Sequence, residues 1–270
     1  MPGGSCRGGF NKATVAAEPA GTFQIDAHDI SEALESLDGR AGITRDDMAQ
    51  MEFRFISALD RSAHGIPNLE RQIAESPLLF MQAVALMYKR SDKGEDPPEW
   101  RIDDSERRAA VASAMRRLLD QVKRIPGTDR DGKIVADDLA TWLAQARELA
   151  MQHGRADIAD HCLGQLLSRA PAENTGVRPC VAVCEAMERI ASPEIARGFI
   201  IGVRNARGAH WRGEGGGQER ELAAKYRGWS QQLAFEYPYV ASVLADIAAS
   251  YDREGEWHDS KAKVSKRLRH

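Results

Sequence analysis

The stretch that most limits what this chain can fold into runs from Leu222 to Tyr251. Leu222, Tyr226, Trp229 and Leu233 recur at helical spacing, with Arg, Lys and Gln between them. Val240, Val243, Leu244, Ile247 and Tyr251 make a second stripe of the same kind. Apolar residues spaced by three and four lie on one face of a 3.6-residue helix and are free to meet a neighbour there. Between the stripes stands Tyr237-Pro238. Proline disfavours α geometry in the residue before it and suits the first turn of the helix after it. Two long helices joined by so tight a corner pack antiparallel, so this region is expected to be a helical hairpin. The stripes set the fold class; they carry no chemistry.

The rest of the chain repeats these signals. Asp26 to Leu37 carries Ile30, Leu34 and Leu37 and stops at Gly39. Thr44 is placed to cap a helix with Asp46 and Asp47 in its first turn, and Met48, Met51, Phe55, Ile56 and Leu59 form its apolar face. Pro67 opens a short helix through Leu69 and Ile73. Ser76-Pro77 is a strong start signal, and the helix it opens, LLFMQAVALMY, is apolar nearly all round, which predicts a central position. Further helices are expected over 103–124, from Asp137 to Gly154, over 155–169, over 181–190, after Ser192-Pro193, and from about Gln218. The last runs from Pro238 past Trp257. No pair of alternating β-branched runs flanks a hairpin turn, so no strand is expected. The predicted fold is all-α, an irregular α-solenoid or multi-helix bundle built from antiparallel helix pairs.

Composition shifts divide the chain. Residues 1–22, rich in Gly, Ala and Pro, are read as a disordered N-terminal segment. Residues 23–90 form an N-terminal helical subdomain, 91–102 (charged and Pro-paired) a linker, 103–258 the main helical domain, and 259–270 a basic C-terminal tail. The 270 residues carry 43% hydrophobic and 29% charged side chains and a net charge of -3. That is the balance of a globular domain, without the global basic excess that draws a protein to nucleic acid or membrane. No apolar run reaches bilayer length, and no signal-peptide core is present near Met1, so a cytoplasmic protein with no membrane partner is expected. Four cysteines at this size do not make a disulfide scaffold.

Several clusters invite a chemical reading. In Thr128 to Leu139, Asp129, Asp131, Gly132, Ile134 and Asp138 fall at positions three, five, six, eight and twelve of a calcium loop. Position one is Gly127, which has no carboxylate, so a polar turn is the plainer reading. The pairs Asp46-Asp47, Asp103-Asp104 and Asp137-Asp138 each open a helix, where capping and the helix dipole account for them. His161, Cys162, Cys180 and Cys184 supply zinc-type donors, but their spacing matches no zinc module and the helix around Cys184 reads as core. No cofactor, metal site or catalytic residue is therefore assigned, and enzyme activity is not expected. Arg204, Arg207, His210, Arg212 and Arg220 surround Gly215-Gly216-Gly217, just before a helix start. A glycine-rich loop at a helix N-terminus presents N–H groups to an anion, so these five residues are the candidate contacts for phosphate or nucleic acid.

With these pieces in view, the chain resembles the helical C-terminal region of long bacterial proteins of no established activity. The resemblance rests on QMEFRFISAL (50–59), SPLLFMQAVALMYKR (76–90), RIPGTDRDGKIVADDLATWLAQARELA (124–150), IADHCLGQLLSRAP (158–171) and RGFIIGVRNARGAHWRGEGGGQERELAAKYRGWSQQLAFEYP (197–238). It implies an all-helical region that follows other segments, in proteins serving regulation or defence, and supplies no catalytic residue. The expectation drawn from all this is a helical repeat-like scaffold that binds a protein partner or a missing N-terminal region through an apolar or Arg-lined groove. The alternative is a regulator touching nucleic acid or phosphate through the loop 204–220.

Overall fold

The computed structural model describes residues 26–60, 62–207 and 215–268, with side chains through Ala262. The disordered segment expected over 1–22 therefore lies outside the described residues, as do His210, Trp211 and Arg212 and the side chains of Lys263, Lys266 and Arg267. The described residues form twelve α-helices and one 3-10 turn, with no strand, so the all-α expectation holds. The chain falls into two compact units, the first ending at Cys162 and the second beginning at Leu163. None of the described helices is long and apolar enough to cross a membrane.

The first unit holds α1 (Ala27–Leu37), α2 (Arg45–Arg54), α3 (Ile56–Leu59), α4 (Pro67–Glu75), α5 (Pro77–Met87), a 3-10 turn (Pro98–Trp100), α6 (Ser105–Gln121) and α7 (Ala136–Gln152). Helix α8 (Ala156–Leu167) crosses the division. Local chemistry starts these helices where the sequence places the signals. Thr44 and Asp47 cap α2 reciprocally: the Asp47 N–H donates to Thr44 Oγ1 at 3.1 Å and the Thr44 N–H to Asp47 Oδ2 at 2.8 Å. Ser76 caps α5 and Pro77 fills its first position. Helix α5 packs against α4, α6 and α7, which explains why residues 79–84 are buried on every face. Phe80 meets Trp142 of α7 edge to face at 5.5 Å. Each large apolar side chain so buried contributes about 1.5–3 kcal/mol, more than any one cap.

Two expectations need correction in detail. The helix expected to run unbroken to Leu59 breaks at Phe55, which ends α2 and precedes α3. The cap of α7 is Val135 and not an acid; Asp137 and Asp138 sit inside its first turn and act on its dipole alone.

The second unit holds the end of α8, α9 (Val181–Ile190), α10 (Pro193–Ala206), α11 (Gly217–Leu233) and α12 (Pro238–Leu268). Helices α11 and α12 form the expected hairpin and share its most extensive contact. Val240, Val243, Leu244, Ile247 and Tyr251 are buried as the second stripe predicts, while the α11 stripe is half-buried around a fully buried Ala223. Helix α12 also packs on α9 and α10. Its N-terminus is capped from a distance: both Glu188 oxygens accept the Tyr239 N–H, at 3.1 and 3.0 Å, and Tyr239 Oη donates to the Ser192 carbonyl at 2.6 Å.

Candidate functional site

The described end of the candidate anion loop, at the start of α11, meets a carboxylate of the same chain. The Gly216 N–H donates to Asp259 Oδ1 of α12 at 2.8 Å, and the other Asp259 oxygen accepts from Arg220. The Gly216 N–H and the positive end of the helix dipole thus face an anion supplied by the chain itself. Helices α11 and α12 can come this close because Gly216 faces Gly255; a Cβ on Gly216 would lie 2.2 Å from the Gly255 carbonyl oxygen.

The other described arginines are also engaged. Arg207 donates to Glu219 Oε1 at 2.8 Å, and its guanidinium lies over the Tyr251 ring, 5.5 Å from the centroid. Arg204 donates to Ser250 Oγ at 3.2 Å and stands 3.8 Å from Glu254. Of the five predicted contacts, then, Arg220 lies on the hairpin and Arg204 and Arg207 at the end of α10, each beside an acid, while His210 and Arg212 fall outside the described residues.

Around Arg207 the hairpin gathers an arrangement of another kind. Glu219, in the first turn of α11, is only 1% exposed. Glu254 and His258 are one turn apart on α12, with His258 Nε2 3.8 Å from Glu254 Oε1. One donor atom from each of the three lies within 4.8 Å of the other two. Burial alone disfavours a charged Glu219, but the hydrogen bond and charge of Arg207 outweigh it and hold the carboxyl below its ordinary value. The signal in the sequence was the Glu254/His258 pair at helical i,i+4 spacing; the partner 35 residues upstream had none.

The two metal-like motifs do not assemble. In the 128–139 turn, Asp129 Oδ1 accepts the N–H groups of Asp131 and Lys133 at 2.9 and 2.8 Å, closing the turn on itself. Among the described residues, the converging donors belong to Glu219, Glu254 and His258 and include neither these acids nor His161 and the cysteines. Burial, with nearby negative charge, pushes the Cys162 and Cys184 thiols up to about 12, so both stay protonated and pack as small apolar groups.

The first unit carries a groove of about 510 Å³ between the end of α5 and the start of α6. Trp100, 8% exposed, lines it together with Ala109 and Ala112 of α6, and Lys89, Arg101 and Arg108 stand on the same lining. Its inner end is a rigid polar knot. Arg155, 2% exposed, donates to both Asp96 oxygens at 2.7 and 2.8 Å, to the Tyr88 carbonyl at 2.8 Å and to the His153 carbonyl at 2.9 Å. Trp100 meets the His153 ring at 4.4 Å between centroids, tilted by 49°, and burial first, then the charges of Arg90 and Arg155, lower the His153 pKa. The segment 91–102 thereby supplies Asp96 and Trp100 to this groove. No family model matches the sequence, and no curated protein and no solved structure matches it either.

Proposed function

We propose that the chain is a helical interaction module that takes a short acidic segment of a partner protein, carrying one bulky apolar residue, into the groove beside Trp100. The observation that carries this reading is the groove's lining. Trp100, Ile102 and two alanines of α6 give an apolar bed, and cations outnumber acids around it. Arg155 and Asp96 neutralise each other, and Arg101 is paired with Glu95 at 2.7 Å. Lys89 and Arg108, the latter donating to the Ile102 carbonyl, then stand on the lining against Asp103 alone, leaving a positive excess there. A volume of about 510 Å³ holds a few side chains, and tryptophan and arginine, both on this lining, are among the residue types enriched in binding hot spots. Complementary charge guides the approach, and the apolar anchor holds the complex.

Peptides selected from a random displayed library on the full chain test the reading. The expected outcome is a consensus of Asp or Glu flanking an apolar residue. Affinity for the selected peptide, read by fluorescence anisotropy, falls at least about tenfold in Ala112→Trp, which fills the bed, and in Arg108→Glu. Selection without a consensus, or unchanged binding by Ala112→Trp, sinks it.

A further inference from the structure

We propose that Glu219, Glu254 and His258 form a binding site for a divalent first-row transition-metal ion, with Zn²⁺ the fitting representative. Four observations meet at this point of the hairpin. The donors come from two helices and already converge, one atom from each within 4.8 Å of the others. Donors about 2.1 Å from a common ion lie roughly 3–4.2 Å apart, so closure asks for side-chain movements of about 1 Å and no backbone change. Glu254 and His258, with side chains 21% and 15% exposed, have room to make them, while Glu219 is fixed beneath at 2%.

The helix separation is fixed as well. The Gly216–Gly255 contact brings the backbones of α11 and α12 together beside the three donors, so the site rests on rigid elements. Charge and donor type set the ion's class. The two carboxylates offset a dication in part, since Arg207 and Arg204 stand beside them, and an imidazole nitrogen among the donors favours zinc or iron over calcium and magnesium, which take oxygen ligands. The surroundings match as well. Arg207 donates to one oxygen of Glu219 at 2.8 Å, the outer hydrogen bond that orients a ligating carboxylate. Three protein ligands leave positions on the ion for water or a further donor.

Equilibrium dialysis of the full chain against Zn²⁺, with metal counted by mass spectrometry, tests this site. Co²⁺ substitution reports the coordination through its visible absorption. The wild-type chain is expected to hold one ion, and His258→Ala and Glu254→Gln each lose at least about tenfold in affinity while the helical circular dichroism stays unchanged. An Asp129→Asn/Asp131→Asn chain keeps the ion, separating this site from the turn 128–139. A chain that takes up no stoichiometric ion, or a His258→Ala chain that binds as tightly as wild type, overturns the proposal. So does a site abolished by the Asp129 and Asp131 changes.

Discussion

Each unit builds a polar knot around a deeply buried ionic group, the cation Arg155 in the first, which also buries the helix-capping Glu52, and the anion Glu219 in the second. In the first, the cation Arg155 is the buried partner, surrounded by a bidentate carboxylate and two close backbone carbonyls. Its donors are satisfied, and it ties together Tyr88, Asp96 and His153, groups far apart in the chain. In the second, the anion Glu219 is the buried partner, with one arginine on it and a second carboxylate and an imidazole beside it. A saturated cation acts as a strut. A buried carboxylate with further donors turned toward it retains capacity to bind. Burying a charge is tolerated in both places because each has a partner, and removing that partner is what costs.

The largest effect is expected from breaking the strut. Arg155→Met leaves Asp96 without its main partner and two carbonyls unsatisfied, and is expected to lower unfolding free energy by about 3–5 kcal/mol in urea titrations. The matching change in the second unit, Arg207→Met, should cost less, about 2 kcal/mol, because that side chain is already 17% exposed. Equal losses would show that the two knots do the same work.

Acid distinguishes the carboxylates of the strut from ordinary surface acids. The hydrogen bond from Arg155, against the effect of burial, holds Asp96 below its ordinary value, and Arg90 takes Asp92 down to about 2. A carboxyl whose folded pKa is depressed contributes stability that is complete above its unfolded value and is lost as pH falls through the folded one. The urea midpoint is therefore expected to fall between the ordinary carboxylate value of 3.8 and about 2, and Asp96→Asn to flatten that fall. An unchanged slope in Asp96→Asn would remove Asp96 from the strut. The smallest effect belongs to a local device: Thr44→Ala removes half of the exposed α2 capping box and should cost about 1 kcal/mol, read as a shift in thermal midpoint.

What could be read from the sequence follows from the range of the forces. Ser76-Pro77, Thr44 with Asp47, and the stripes 222–233 and 240–251 act over one or two turns, and each produced its helix where expected. Partners brought in by folding were invisible. Glu52, fully buried, accepts the Asn68 and Leu69 N–H groups and so caps α4 from 16 and 17 residues away. Arg155 reaches Tyr88 across 67 residues, so a Pro-rich segment that looks like a spacer becomes part of a packed wall. At the candidate anion loop, composition marks the run 215–217 as a place where backbone N–H groups are exposed. It cannot reveal that Asp259, 43 residues on, accepts the Gly216 N–H.

The backbone contact between Gly216 and Gly255 works like the key on a shaft. Gly216 has no space for even a Cβ toward its partner without prising the two rods apart, while a Cβ on Gly255 would come within 3.3 Å of the Gly216 carbonyl oxygen. Removing one residue from α12 ahead of Gly255 would rotate everything beyond it by about 100° and slide it by about 1.5 Å. Indexing of the hairpin is thus vulnerable to single deletions while its outer surface remains open to change.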